Sequence, residues 1–65
     1  MITVNGNKIS NVDNLSLYDY LIREGYTISL VAVECNGSIV PKTQYKEKIL
    51  TDSDVIEVVS FVGGG

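Results

Sequence analysis

Two Asn-Gly dipeptides, Asn5-Gly6 and Asn36-Gly37, each close an apolar run, and each is followed by a short segment able to fold back on it. No other feature narrows the fold as far. Asn-Gly suits the two-residue hairpin turn whose central residues both need positive φ, so it marks a tight reversal between paired strands. The first dipeptide joins residues 1–4 to residues 7–10, with Ile2, Val4 and Ile9 facing inward. The second joins residues 30–35 to residues 38–40. Pro41 then ends the return strand, because it has no N–H to give a ladder.

One helix is predicted between the hairpins. Asp13-Asn14-Leu15-Ser16 reads as a loop and helix start. Ser16 is placed to cap, with Asp19 three positions on, and Leu17, Leu21 and one of Tyr18 or Tyr20 recur at helical spacing. Gly25 suits the left-handed residue just past the end, so the helix covers residues 16–24. Residues 41–48 read as a short helical turn or irregular loop carrying Tyr45. Ile49 and Leu50 pack before a turn at Asp52-Ser53-Asp54, and a last strand runs from residue 55 to about residue 62. The order β-β-α-β-β-β gives an α+β chain: a mixed four- or five-stranded sheet with one helix on one face. The strongly apolar last strand suits a central position. Laying it beside the first strand makes a parallel pair between the chain ends, which is the β-grasp arrangement.

At 65 residues the chain makes one domain, 1–62, followed by a flexible glycine tail, 63–65. A domain of this size buries only about 60% of the surface its unfolded chain exposes, leaving little room for a deep pocket. A net charge of −3, with basic residues scattered among acidic ones, disfavours nucleic acid as a partner. The single cysteine, Cys35, permits no internal disulfide. No signal peptide or membrane-length apolar run is visible, so the expected setting is the cytoplasm, without a membrane, as a monomer when free.

The side chains offer little chemistry. Without histidine there is no group titrating near neutrality, no Ser-His or Cys-His constellation and no His/Cys metal cluster. No Walker sequence or dinucleotide fingerprint is present. Cys35 reads as a small strand residue beside a turn, with nothing basic next to it to lower its pKa. Asp52 and Asp54 read as turn residues bonding the local backbone rather than a metal pair. The four tyrosines read as core edges and surface packing. Glu34 is either a solvated strand residue or a partner contact. In the last strand Ile56 and Val58 share one face, and Val55, Glu57, Val59 and Phe61 share the other. Val59 and Phe61 form either an interaction patch or the ordinary apolar exposure of a small domain.

Gly63-Gly64-Gly65 follows directly. Glycine packs nothing and loses most entropy on ordering, but three span about 10 Å as a thin thread. That carries the α-carboxylate of Gly65 into another protein's narrow active site; a frayed end is the alternative. Once activated, such a carboxylate accepts a nucleophile such as sulfide or an amine.

Several segments together resemble the ThiS sulfur carriers of thiamine biosynthesis, within the ubiquitin-like β-grasp superfamily. They are Ile2-Thr3-Val4-Asn5-Gly6, Gly25-Tyr26, the run from Val31 through Asn36-Gly37 to Lys42, Tyr45, Asp52 to Val58, and Phe61-Val62-Gly63-Gly64-Gly65. The resemblance implies that the chain is a carrier and not an enzyme. It binds no cofactor itself. A ThiF-like adenylyltransferase uses ATP-Mg to adenylate Gly65, a sulfur donor such as a cysteine desulfurase converts it to a thiocarboxylate, and a ThiG-like thiazole synthase takes the sulfur for the thiazole of thiamine. Gly64 and Gly65 match the family's diglycine, and Gly63 adds reach. The candidate partner-binding residues are Gly63 and Gly64 in the tail, with Val59, Phe61 and Glu34 chosen by their places on the strands. Any acyl disulfide with the tail would use a cysteine of the activating enzyme, not Cys35. Asp52-Ser53-Asp54 departs from the commoner Asp-Gly-Asp, a matter of turn geometry. Alternatives are the small subunit of molybdopterin synthase or another thiocarboxylate carrier, a ubiquitin-like protein modifier, and a regulatory module with no chemistry at the tail.

Overall fold

The N-terminal alternation forms β1 (Ile2–Val4), which reverses through Asn5 and Gly6 at φ 49° and 84° into β2 (Asn7–Ile9). The structure, a computed structural model, describes residues 1–12 and 14–61. The readings that involve Asp13, Val62, Gly63, Gly64 and Gly65, including the 63–65 tail, lie outside the described residues. The second Asn-Gly turn, with φ 53° and 87°, joins β3 (Val31–Cys35) to β4 (Ser38–Val40). The last strand, β5 (Val55–Ser60), lies in the middle of a five-stranded sheet of order β2-β1-β5-β3-β4. It runs parallel to β1, with Thr3 opposite Val55, and antiparallel to β3. This is the predicted β-grasp.

The helix α1 (Leu17–Arg23) has Ser16 as its N-cap and Glu24 as its C-cap. A helix start leaves its first N–H groups without internal partners, and here each finds one. Ser16 Oγ accepts from Asp19 N at 3.0 Å. Leu17 N donates to Lys48 O at 2.7 Å and Tyr18 N to Tyr45 O at 3.0 Å. The connection between β4 and β5 therefore wraps the helix start, and Leu50 and Asn14–Leu15 bond each other's backbones beside it. At the other end Gly25 has φ 84°. Gly25 N reaches Ile22 O and Tyr26 N reaches Leu21 O, at 3.1 and 3.0 Å. These are the two bonds of a Schellman cap, which only a left-handed residue closes without strain.

Leu17, Tyr20 and Leu21 on the helix share one buried cluster with Ile2 and Val4, Val31 and Val33, and Ile56 and Val58 of the sheet. Besides one-residue offsets at the ends of β1, β2 and the helix, three details differ from the sequence reading. Leu30 belongs to a 3-10 turn (Ile28–Leu30), so β3 begins one residue later. Tyr45, beyond a second 3-10 turn (Lys42–Gln44), is 1% exposed and is a core residue rather than an edge. Ile49 points outward while Leu50 is fully buried, because Ile49 bridges Ser16 in an antiparallel contact that turns successive side chains to opposite sides.

Candidate functional site

The strand period of two divides β5 cleanly. Ile56 and Val58 enter the core, whereas Val55, Glu57, Val59 and Phe61 are exposed on the sheet face away from the helix. Val59 lies opposite Ala32, and Glu57 lies opposite Glu34, which in turn faces Ile39 on β4. Val59 and Phe61 are each 55% exposed. Phe61 is past the last strand residue, yet its N–H donates to Leu30 O at 2.7 Å, which prolongs the pairing with the β3 side. The chain is thus held by hydrogen bonds up to the residue that precedes Val62 and the glycines.

The structure brings Val59, Phe61 and Glu34 onto one face, as the strand period predicts. Gly63, Gly64 and Gly65 fall outside the described residues. Three members of that face were not singled out in the sequence: Glu57 as the partner of Glu34, and Ala32 and Ile39 as apolar neighbours. Their outward positions follow from alternation, but the pairing of β3 with β5 sets which of them meet, and periodicity carries no register.

The remaining groups are structural. The Cys35 thiol is buried and its pKa is raised, chiefly by burial and next by the nearby Asp54 carboxylate, with Lys48 opposing. A raised thiol pKa means less thiolate and low reactivity. Asp54, 6% exposed, accepts from Thr51 N at 2.9 Å, Asn36 Nδ2 at 3.0 Å, and Thr51 Oγ1 and Lys48 Nζ at 3.2 Å. Asp52 pairs with the N-terminal ammonium. Asp54 thus serves the turn, whereas Asp52 ties it to the N-terminus, and no group of three or more metal-ligating side chains occurs among the described residues. A cavity of about 200 Å³ at the β3–β4 edge is lined mostly by aliphatic side chains and Tyr45. It is smaller than the roughly 300–1,000 Å³ usual for ligand pockets. No helix among the described residues is long and apolar enough to cross a membrane.

The outer sheet face thus shows Val59 and Phe61 beside the paired glutamates Glu34 and Glu57. Residues 1–65 match the model of the ThiS family. The chain belongs to the ThiS family. It is a sulfur carrier protein of thiamine biosynthesis with the ubiquitin-like fold, and not a catalyst. It is 39% identical over 66 residues to the sulfur carrier protein ThiS of Bacillus subtilis, covering 100% of both chains. The ThiS crystal structure from Geobacter metallireducens superposes with a TM-score of 0.76 at 27% identity, covering 98% of this chain and 97% of that one. The thiazole synthase of Paramagnetospirillum magneticum is 34% identical over 64 residues, a match spanning 98% of this chain but 20% of that protein.

Proposed function

We propose that the α-carboxylate of Gly65 is the group that carries the sulfur. A ThiF-like adenylyltransferase joins it to AMP from ATP-Mg and releases pyrophosphate. The terminal sulfur of a persulfide, supplied by a cysteine desulfurase or a related donor, attacks the acyl carbon. A C–S bond forms and AMP departs. A thiol then cleaves the remaining S–S bond, leaving the Gly65 thiocarboxylate and a disulfide. A ThiG-like thiazole synthase takes that sulfur for the thiazole. Domain 1–62 acts as the handle and residues 63–65 as the tail, with Gly63 and Gly64 passing through a channel too narrow for side chains. Val59, Phe61 and Glu34 contact the partner enzymes. The chain works in the cytoplasm, as a monomer when free.

The observation that carries this reading is the placement of Val59 and Phe61, both exposed, on a face the core does not use and at the root of the glycine run. The thiazole synthase similarity supports that partner, because a fifth of that protein resembles almost the whole of this chain. ATP–pyrophosphate exchange with the cognate adenylyltransferase tests the tail. Gly64→Val adds a Cβ and restricts φ/ψ, and deleting Gly65 withdraws the carboxylate by about 3.5 Å. Both variants are expected to lose exchange. Exchange at the wild-type rate in either one refutes the assignment.

A further inference from the structure

We propose that the outer sheet face is built to receive one cationic side chain of thiazole synthase, an arginine or a lysine, between Glu34 and Glu57. This rests on the docking reading above and names the chemistry its partner must bring. The register sets Glu34 directly opposite Glu57 on the adjacent strands β3 and β5, both exposed. Like charges directly across a strand pair destabilise a sheet. A local conflict of that kind on an exposed face points to function.

No ion pair among the described residues engages either carboxylate. Lys42, on the 3-10 turn after β4, lines the edge cavity with Ala32 and Ile39 and pairs with neither glutamate. Arg23 bonds Glu24 and lies over the Tyr20 ring, Lys46 lies over the Tyr18 ring, and Lys48 bonds Asp54. Lys8 is on β2, two strands from β5, in the row of Thr3 and Val55. The carboxylates sit beside Ile39 and Val59, which are 73% and 55% exposed. A partner covering those apolar side chains also takes water from the carboxylates. Removing water from an unpaired charge is costly, so a well-fitted partner places a cation there. A guanidinium, with its planar fork of donors, can bond both carboxylates at once. A second copy of this chain stacked face to face would instead bring further carboxylates to the same place.

The test uses the full chain with Glu34→Gln, Glu57→Gln and the double substitution, titrated calorimetrically against the cognate thiazole synthase at low and high salt. The double variant is expected to bind about tenfold or more weakly at low salt. The difference should shrink at high salt, where exposed charges are screened during encounter. In the free protein the same substitutions should raise the melting temperature, by about 2–4 °C, because the repulsion is gone. Weaker binding with greater stability is the signature of a functional charge pair. Wild-type affinity at low salt, or a lower affinity accompanied by a lower melting temperature, overturns the proposal. Phe61→Ala separates it from the reading beneath. If that variant binds weakly while the double variant binds normally, the face stands and the cation contact falls. If both bind normally, both fall.

Discussion

The side-chain amide of Asn5 bonds both polar groups of Val58: its Oδ1 accepts from Val58 N at 2.8 Å and its Nδ2 donates to Val58 O at 3.2 Å. β1 ends at Val4, so β5 would otherwise present these groups without a strand beside them. The asparagine that makes the first hairpin turn also extends that strand's ladder with its side chain. Asn5→Gly keeps the positive φ of the turn and removes both bonds. It should cost about 1–3 kcal/mol in urea unfolding, at roughly 0.5–1.5 kcal/mol per hydrogen bond. An unchanged midpoint and slope would show that water replaces the amide without loss.

Asp54 links stability to pH. Burial works to raise its pKa, but the Thr51 backbone N–H and then the Asn36 and Lys48 side chains outweigh it, leaving the carboxyl below its ordinary 3.8. A folded pKa below the unfolded one means the stabilisation is fully present above the unfolded value. It is lost as pH falls through the folded value. Unfolding free energy should therefore drop below about pH 4, and Asp54→Asn should flatten that drop. At neutral pH the variant should be about 1–3 kcal/mol less stable, because buried donors lose their charged acceptor. Asp52 is also lowered, by its hydrogen bond and charge contact with the N-terminal ammonium, and is exposed. Its share should fade with added salt.

Ser53 has φ 75°, a left-handed conformation that favours glycine. The departure from Asp-Gly-Asp noted in the sequence therefore leaves a strained residue in the turn, where Ser53 N donates to Met1 O at 2.9 Å. Ser53→Gly should stabilise the fold by about 0.5–1 kcal/mol, the relief of left-handed strain less the added freedom of the unfolded chain. Thermal unfolding of the two proteins compares them directly, and a lower melting temperature for the glycine variant would contradict the strain.

Much of this architecture was legible because short-range chemistry specifies it. The two Asn-Gly turns, the Ser16 cap and the Gly25 terminator each need only a few consecutive residues, and the period of two in β5 already separated Ile56 and Val58 from Val59 and Phe61. What stayed hidden depends on distant segments. Val12 is fully buried from a loop, and Tyr45 is enclosed because the β4–β5 connection closes over the helix start. Neither has a periodic neighbour pattern to announce it. Asn5 and Asn36 look like turn residues in the sequence, yet both clamp β5, Asn36 Oδ1 accepting from Val55 N at 2.9 Å. The Glu34–Glu57 pairing is a matter of register between strands about twenty residues apart in the chain, which no local pattern sets.

Phe61 should matter to partners and not to the fold. It is 55% exposed, and its contribution to the sheet is a backbone bond that alanine keeps. Phe61→Ala should leave the melting temperature within a few degrees of wild type. It should weaken binding to the adenylyltransferase or to thiazole synthase by about tenfold or more, as loss of a buried aromatic anchor does. Calorimetric titration gives the affinity, and equal affinities for wild type and variant would remove this face from the interface.

Whether Gly65 holds the sulfur is read directly from the intact mass of the chain with fragmentation of its C-terminal peptide. The chain is incubated with the cognate adenylyltransferase, ATP-Mg and a sulfide source. One oxygen should be replaced by one sulfur, the change should map to Gly65, and it should require ATP. An unchanged mass under conditions where the enzyme adenylates the chain, or a sulfur that maps to Cys35 instead, would contradict the assignment to Gly65.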